Sequence, residues 1–428
     1  MKKTLTFLVA SLLLSTTVRA DWPQFRGPTG TGHATATGLP LHWSETNNIV
    51  WKTEIPHRGW STPVVMGGQV WLTTATLEGN DFYAICLDAK TGKILFNEKL
   101  FHSDNPESLY NAVNVNCYAT PTCAIEPGRV YVHFGVYGTA CLDTATFKIL
   151  WKRDDLPCRH YRGPASSLVL FENLLILTMD GVDVQYHVAL DKKTGNTIWK
   201  TNRSVPWNDE HINTKLAQDG DRRKAHSTPL IVNINGKLQM LSAGAKASYA
   251  YDPRDGKELW RFQFPDAWSA APVPLFSHGL AIIATGWGKT ELYGIRPYGS
   301  GYVTYTHMAW KFDKGVCKTA SPIIVGDLLY MVSDDGFVTC LEVATGNLVW
   351  RERIGGTYAA SPIYADGHLY FANQQGRTTI LNPGRTCDIV ATNTLDIGCM
   401  ASHAVDGEAL FLRTKTHLYR IESNMPQK

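Results

Sequence analysis

The stretch Ala250-Tyr251-Asp252-Pro253-Arg254-Asp255-Gly256-Lys257-Glu258-Leu259-Trp260 decides how this chain is read. An acidic residue is followed by Gly four positions on and an aromatic residue eight positions on. The frame returns as Asp88/Gly92/Phe96, Asp191/Gly195/Trp199 and Glu342/Gly346/Trp350. Asp143/Trp151 keeps it with Phe147 in the Gly place, a degenerate copy starts at Asn382, and inserted residues stretch the interval from Arg296 to Trp310. A second landmark, small residues before Pro, opens each β-branched run. It reads Ser61-Thr62-Pro63, Ala119-Thr120-Pro121, Ser227-Thr228-Pro229, Ala270-Ala271-Pro272, Ala320-Ser321-Pro322 and Ala360-Ser361-Pro362. Ser166-Ser167-Leu168 and Ala401-Ser402-His403 are weaker versions, which makes eight starts.

Between the landmarks apolar and polar residues alternate, and the chain turns at Gly67-Gly68, Pro127-Gly128, Asn235-Gly236, Gly326-Asp327, Asp366-Gly367 and Asp406-Gly407. Such pairs suit hairpin turns that need φ > 0. Each unit supplies about four short strands, and no segment carries a 3.6-residue period. The 408 residues after position 20, shared among eight units, give 51 apiece. That length suits a propeller blade with extended loops. The eighth unit ends before its aromatic strand, while Ile49-Val50-Trp51-Lys52 stands alone ahead of the first start. The expectation is an all-β, eight-bladed β-propeller of four-stranded antiparallel blades, one domain over 21–428. The N-terminal strand 47–56 completes the last blade and leaves no open edge.

Residues 1–20 read as a signal peptide: Lys2 and Lys3, an apolar run from Leu5 to Leu14, and a small-residue step Val18-Arg19-Ala20. The run is too short to span a bilayer, and no other stretch approaches 18 apolar residues. Removing the segment takes Lys2, Lys3 and Arg19, so the formal charge of +3 falls to zero, with 38 basic and 38 acidic residues. A neutral chain has no bulk basicity with which to hold nucleic acid. The expectation is an exported, soluble monomer, periplasmic or secreted, with no transmembrane segment.

The repeat resembles the tryptophan-docking motif of the quinoprotein alcohol dehydrogenases, and the chain over 21–422 resembles the exported bacterial PQQ-like β-propeller repeat proteins. Asp21-Trp22-Pro23-Gln24-Phe25-Arg26-Gly27-Pro28 looks like the opening of that group. The resemblance implies structural roles for Asp88, Gly92, Trp151, Asp191, Gly195, Trp199, Asp252, Gly256, Trp260, Gly346 and Trp350. Trp packs blade on blade, Gly makes the turn and Asp caps it.

Binding sites on rigid rings usually sit on long loops. The extra length lies at 97–118, 152–164, 201–226 and 297–308 and is assigned to one face. Residues just before each start are expected to ring the channel mouth there: Trp60, Tyr118, Tyr161 with Arg162, His226, Trp268, Lys318, Tyr358 and Met400. Aromatic rings with a few cations suit a planar or sugar-like ligand bearing a carboxylate or phosphate. The alternative is that these rings merely fill a tapering channel.

Asp209, Glu210 and His211 offer acid–base or metal chemistry or a solvated loop, and Trp207 a lid. Asp180 and Asp183 read as a cation pair or a turn. Of nine cysteines, Cys86, Cys141 and Cys340 fall at the Ala position of the repeat. Their pairing does not follow from spacing. No Gly-x-Ser-x-Gly, phosphate loop, His-Glu-x-x-His or C-x-x-C is present, so no metal site is assigned.

Three functions stay open. The first is a scaffold binding a small molecule, glycan or protein at the loop face. The second is a quinoprotein-type dehydrogenase, in which the resemblance implies PQQ with Ca²⁺, stacked on Trp268 or Trp60 and met by Lys318 or Arg162. The third is a factor in outer-membrane barrel assembly.

Overall fold

Eight four-stranded antiparallel sheets follow one another along the chain and form an eight-bladed propeller. In blade 1 the strands run outward from Val64–Met66 through Gln69–Ala75 and Asp81–Asp88 to Ile94–His102. Blades 2 to 7 span 124–153, 169–202, 230–263, 275–312, 323–353 and 363–394. Blade 8 takes three strands from 404–421 and its outer strand, Ile49–Glu54, from the other end of the chain. The ring therefore closes as the sequence predicts. The computed structural model describes residues 21–109, 115–207, 209, 215 and 219–423, so the signal peptide expected at 1–20 lies outside the described residues.

The repeat works through its turn. Asp191 Oδ1 accepts the backbone N–H groups of Lys193 and Thr194 and the Thr194 hydroxyl at 2.8–3.0 Å. Asp88 and Asp143 do the same. In blades 1 to 7 a β-bulge, such as that between Ala250 and Tyr251, sharpens the twist just before the connection from the third strand to the fourth. The tryptophan of one blade then lies on the turn glycine of the next. A Cβ on Gly92, Gly195, Gly256 or Gly346 would sit 2.5–2.7 Å from Trp51, Trp151, Trp199 or Trp310. The indole N–H groups of Trp51, Trp151, Trp199 and Trp310 donate to carbonyls of the following blade. In blade 2, where Phe147 replaces Gly at φ +59°, Phe96 stacks on it at 5.3 Å. Trp260 departs from the pattern and donates to Gln239 of its own blade.

Gly256→Ala combines a left-handed φ of +73° with a Cβ 2.5 Å from the Trp199 ring. It is expected to cost about 2–4 kcal/mol, read as a lowered denaturant midpoint. A cost below 0.5 kcal/mol would contradict the docking arrangement.

A second ring lines the channel. Thr62 N–H donates to Thr122 Oγ1, Thr122 to Ser167, Ser167 to Thr228, Val273 to Ser321, Ser321 to Ser361 and Ser361 to Ser402, all at 2.8–3.0 Å. The small residues of the start landmark thus staple blade to blade. In blades 2 and 5 the landmark falls two residues early, because Thr122 and Val273 occupy the place that Thr62 holds in blade 1. Val273 has no hydroxyl, and no such bond enters blade 5.

Residues 21–43 cross the channel at its far end. Trp22 exchanges two 2.9 Å backbone bonds with Val65 of blade 1, Ile125 of blade 2 donates to the Pro23 carbonyl, and Ala34 donates to Tyr364 of blade 7. Arg26, fully buried, donates to the carbonyls of Thr31 and, in blade 6, Pro322. The opening motif is a plug.

The insertion 297–308 corrects one expectation. It lies in the turn between the third and fourth strands of blade 5, on the face opposite the long connections. There Gly301–Tyr302 adds a parallel strand to blade 4.

Candidate functional site

With the plug as floor, the channel becomes a cup of about 380 Å³ open on the long-loop face. Phe25 of the plug forms part of its lining, beside the hydroxyl ring of Thr62, Thr122, Ser167, Thr228, Ser321, Ser361 and Ser402. The walls carry Trp60, Trp268 and Trp287, and each indole is backed by a cation. Arg58 lies 5.2 Å from the Trp60 ring, Arg222 4.7 Å from Trp268 and Lys318 4.9 Å from Trp287. Trp268 and Trp287 sit opposite one another in a short two-stranded bridge. Trp287 keeps 44% of its surface exposed, so a ligand has an aromatic face to meet.

The polar corner is built by two neighbouring connections. Asp221 Oδ1 takes Arg162 Nε at 3.0 Å and Lys224 Nζ at 2.7 Å. Lys224 also donates to Ser269 Oγ at 2.7 Å. Burial works against the Asp221 carboxylate, but Lys224 and Arg162 hold it below the usual carboxylate range. Burial lowers the Lys224 ammonium in spite of Asp221. His226, half-buried and beside Lys224, is held down to about 3 and is neutral. Arg162, Arg222 and Lys318 outnumber the one carboxylate of Asp221 around the mouth, which leaves it with surplus positive charge.

Of the residues expected at the mouth, Trp60, Arg162, His226, Trp268 and Met400 line the cup. Lys318 stands at its rim on Trp287. Tyr161 lies under the Arg162 guanidinium. Tyr118 packs edge-on to Phe82 and Tyr137, and Tyr358 is buried among Ile354, Phe371 and their neighbours, both away from the lining. Sequence reasoning missed Trp287, Lys224, Asp221, Ser269 and Asn116. The indole of Trp287 is the one such residue outside the repeat frame in blade 5, which is the available signal.

Asp209 is paired with Arg223 at 2.8 Å, whose guanidinium covers Trp207, while Glu210 and His211 lie outside the described residues. Asp180 forms a buried two-pronged pair with Arg203, and Asp183 caps the Arg159 and Val184 N–H groups, so this hairpin is a turn. All nine cysteines are unpaired.

Ca²⁺ needs several oxygen ligands, usually including more than one carboxylate. No group of three His, Cys, Asp or Glu among the described residues has that geometry, and the carboxylate of Asp221 is already shared by two cations. This donor set does not fit a calcium-bound quinone, and no step is derived through one.

A family model, that of the outer membrane protein assembly factor BamB, matches residues 44–206 and 185–424. The chain is 22% identical over 367 residues to a tetrathionate hydrolase of Acidithiobacillus ferrooxidans, covering 77% of this chain and 66% of that protein. It is 22% identical over 205 residues to BamB of Yersinia pestis, covering 45% and 48%. It thus spans between about half and two thirds of these curated relatives. Among solved structures, quinohemoprotein alcohol dehydrogenase from Comamonas testosteroni matches 96% of the chain and 82% of its own, at TM-score 0.68 and 13% identity. That likeness is one of fold.

Proposed function

The chain belongs to the PQQ-like propeller family of the outer membrane protein assembly factor BamB, and from that premise we propose that it is a binding protein acting outside the cytoplasm. Its ligand is a small aromatic or sugar-like anion held in the loop-face cup. The observation that carries this is the lining itself: three indoles, each backed by a cation, around a cup of about 380 Å³ beside the Arg162–Asp221–Lys224 corner. The volume lies within the range of small-molecule sites, and a largely apolar wall with a few fixed charges orients a ligand by its acid group.

Titrating the protein with aromatic carboxylates, sugar acids and PQQ, the last with and without Ca²⁺, tests the reading through tryptophan fluorescence. At least one aromatic or sugar acid is expected to quench, and Trp268→Ala to weaken it about tenfold or more, roughly 1.4 kcal/mol. A silent panel, or a Trp268→Ala variant binding like the parent, would remove the proposal. Binding of PQQ only when Ca²⁺ is present would instead favour the quinoprotein reading over this one.

A further inference from the structure

The connection entering blade 4 and the one entering blade 5 are bonded side by side at the mouth. Ser269 N–H donates to the Lys224 carbonyl at 3.0 Å and His226 N–H to the Ala270 carbonyl at 2.7 Å. This pairing brings together two side chains that are 45 positions apart, Lys224 Nζ and Ser269 Oγ, at 2.7 Å. Both line the cup. Ser269 holds φ at +52°, a conformation disfavoured for a residue with a side chain and concentrated at functional positions. The next hairpin backs it closely: a Cβ on Gly286 would lie 2.6 Å from Ala270 Cα and 2.8 Å from the Ser269 carbonyl carbon.

The charge count gives the pair its chemistry. One carboxylate, Asp221, faces two cations, Arg162 and Lys224. The imidazole of His226 nearby is neutral. A guanidinium keeps its proton in proteins, so the surplus charge is relieved at the amine. Lys224 is also the deeper of the two, with 2% of its side chain exposed against 27% for Arg162. Burial lowers its affinity for a proton further. A neutral amine at this distance accepts the Ser269 hydroxyl proton, which is what a serine nucleophile requires of its base.

We infer that Ser269 and Lys224 form a nucleophile–base dyad and that the cup hydrolyses a carboxylic ester carried on a hydroxyl of the aromatic or sugar acids it binds. This rests on the ligand-cup reading above. Ser269 Oγ bonds to the ester carbonyl carbon while its proton passes to Lys224 Nζ. The carbon–oxygen bond to the alcohol then breaks, and the departing alkoxide takes that proton. Water next attacks the acyl-serine, giving one proton to Lys224 and releasing the acid, and Lys224 returns the proton to Ser269. Ester and water become acid and alcohol, with no oxidant required. Arg222, whose buried Nε has no partner among the described residues, adds positive charge beside Trp268 for the developing oxyanion.

A fluorophosphonate offered to the full chain, followed by intact mass and peptide mapping, tests the dyad. One adduct per chain on Ser269 is expected, formed faster as pH rises because the base must be neutral, and absent in Ser269→Ala. Lys224→Met is expected to slow labelling by about 10²- to 10⁴-fold. Should that variant fail to fold, Lys224→Arg keeps the cation for Asp221 but has no proton-accepting form, and the same loss is expected. Folded wild-type protein without a Ser269 adduct, or Lys224→Arg labelled at the parent rate, overturns the inference. Fluorescence quenching by an acid without any adduct would leave the cup standing and sink the dyad, while an adduct without quenching would do the reverse.

Discussion

Replacing Trp51 with alanine is expected to destabilise the propeller by about 3–5 kcal/mol, the range for deleting a large buried aromatic side chain. Trp51 sits in the closing strand, so its loss falls on the seam where the two ends of the chain meet. Its ring lies on Gly92 of blade 1, tilts against Phe411 at 5.9 Å, and sends its indole N–H to the Ala89 carbonyl at 3.1 Å. Thr53 and Arg420 add bonds of 2.8 and 2.7 Å to the same turn, so this cluster ties blade 8 to blade 1 beside the buried bonds of Arg413 to Ser61 and Thr73. Val50, one residue away and 46% exposed, is the control, and Val50→Ala is expected to stay within about 0.5 kcal/mol. Denaturant unfolding of the two variants measures the difference. Equal midpoints would mean that the seam draws its strength from the backbone ladder between 49–54 and 417–421 rather than from docking.

How much of this was legible in the sequence depends on repetition. The Asp–Gly–Trp frame announces itself because the same collision, an indole against a turn that tolerates no Cβ, recurs around the ring. The closing strand was legible for the same reason, since Ile49–Trp51 repeats an outer strand without its blade. The plug was not. Trp22, Phe25 and Arg26 occur once, and their partners in Val65 and Pro322 lie far along the chain. The hydroxyl ring was half visible, because Pro121 and Pro272 draw the eye to a position two residues early. The corner of Arg162, Asp221, Lys224 and Ser269 was invisible apart from Arg162, since it depends on how two connections of unequal length pack. The same inequality explains why Tyr118 and Tyr358 turn into the blades while Trp60 and Trp268 meet the cup.

Acid is expected to unfold the protein well before its carboxylates protonate. His133 and His226 are held at about 3, and His160 and His403 at about 4, in each case by burial; His187 lies well below its usual value for the same reason. In the unfolded chain each returns to about 6.5. The folded state therefore binds fewer protons between these values, and stability rises with pH. The contribution is complete above about 6.5 and is lost as pH falls towards 4. At pH 5 each of His133, His160, His226 and His403 is expected to cost about 2 kcal/mol relative to neutral pH, some 8 kcal/mol together, against a total stability of order 5–15 kcal/mol. Carboxylates held low, such as Asp88 and Asp221, withdraw their support only below about 4, so the two windows separate. Chemical unfolding at pH 7, 6 and 5 reads the loss directly, and a stability unchanged from pH 7 to 5 would refute it. His403 isolates a single step. Neither ring nitrogen has a partner among the described residues, so His403→Phe removes a titrating group and no hydrogen bond. Relative to the parent, that variant is expected to gain about 2 kcal/mol on moving from pH 7 to pH 5, corresponding to one proton fewer taken up on unfolding.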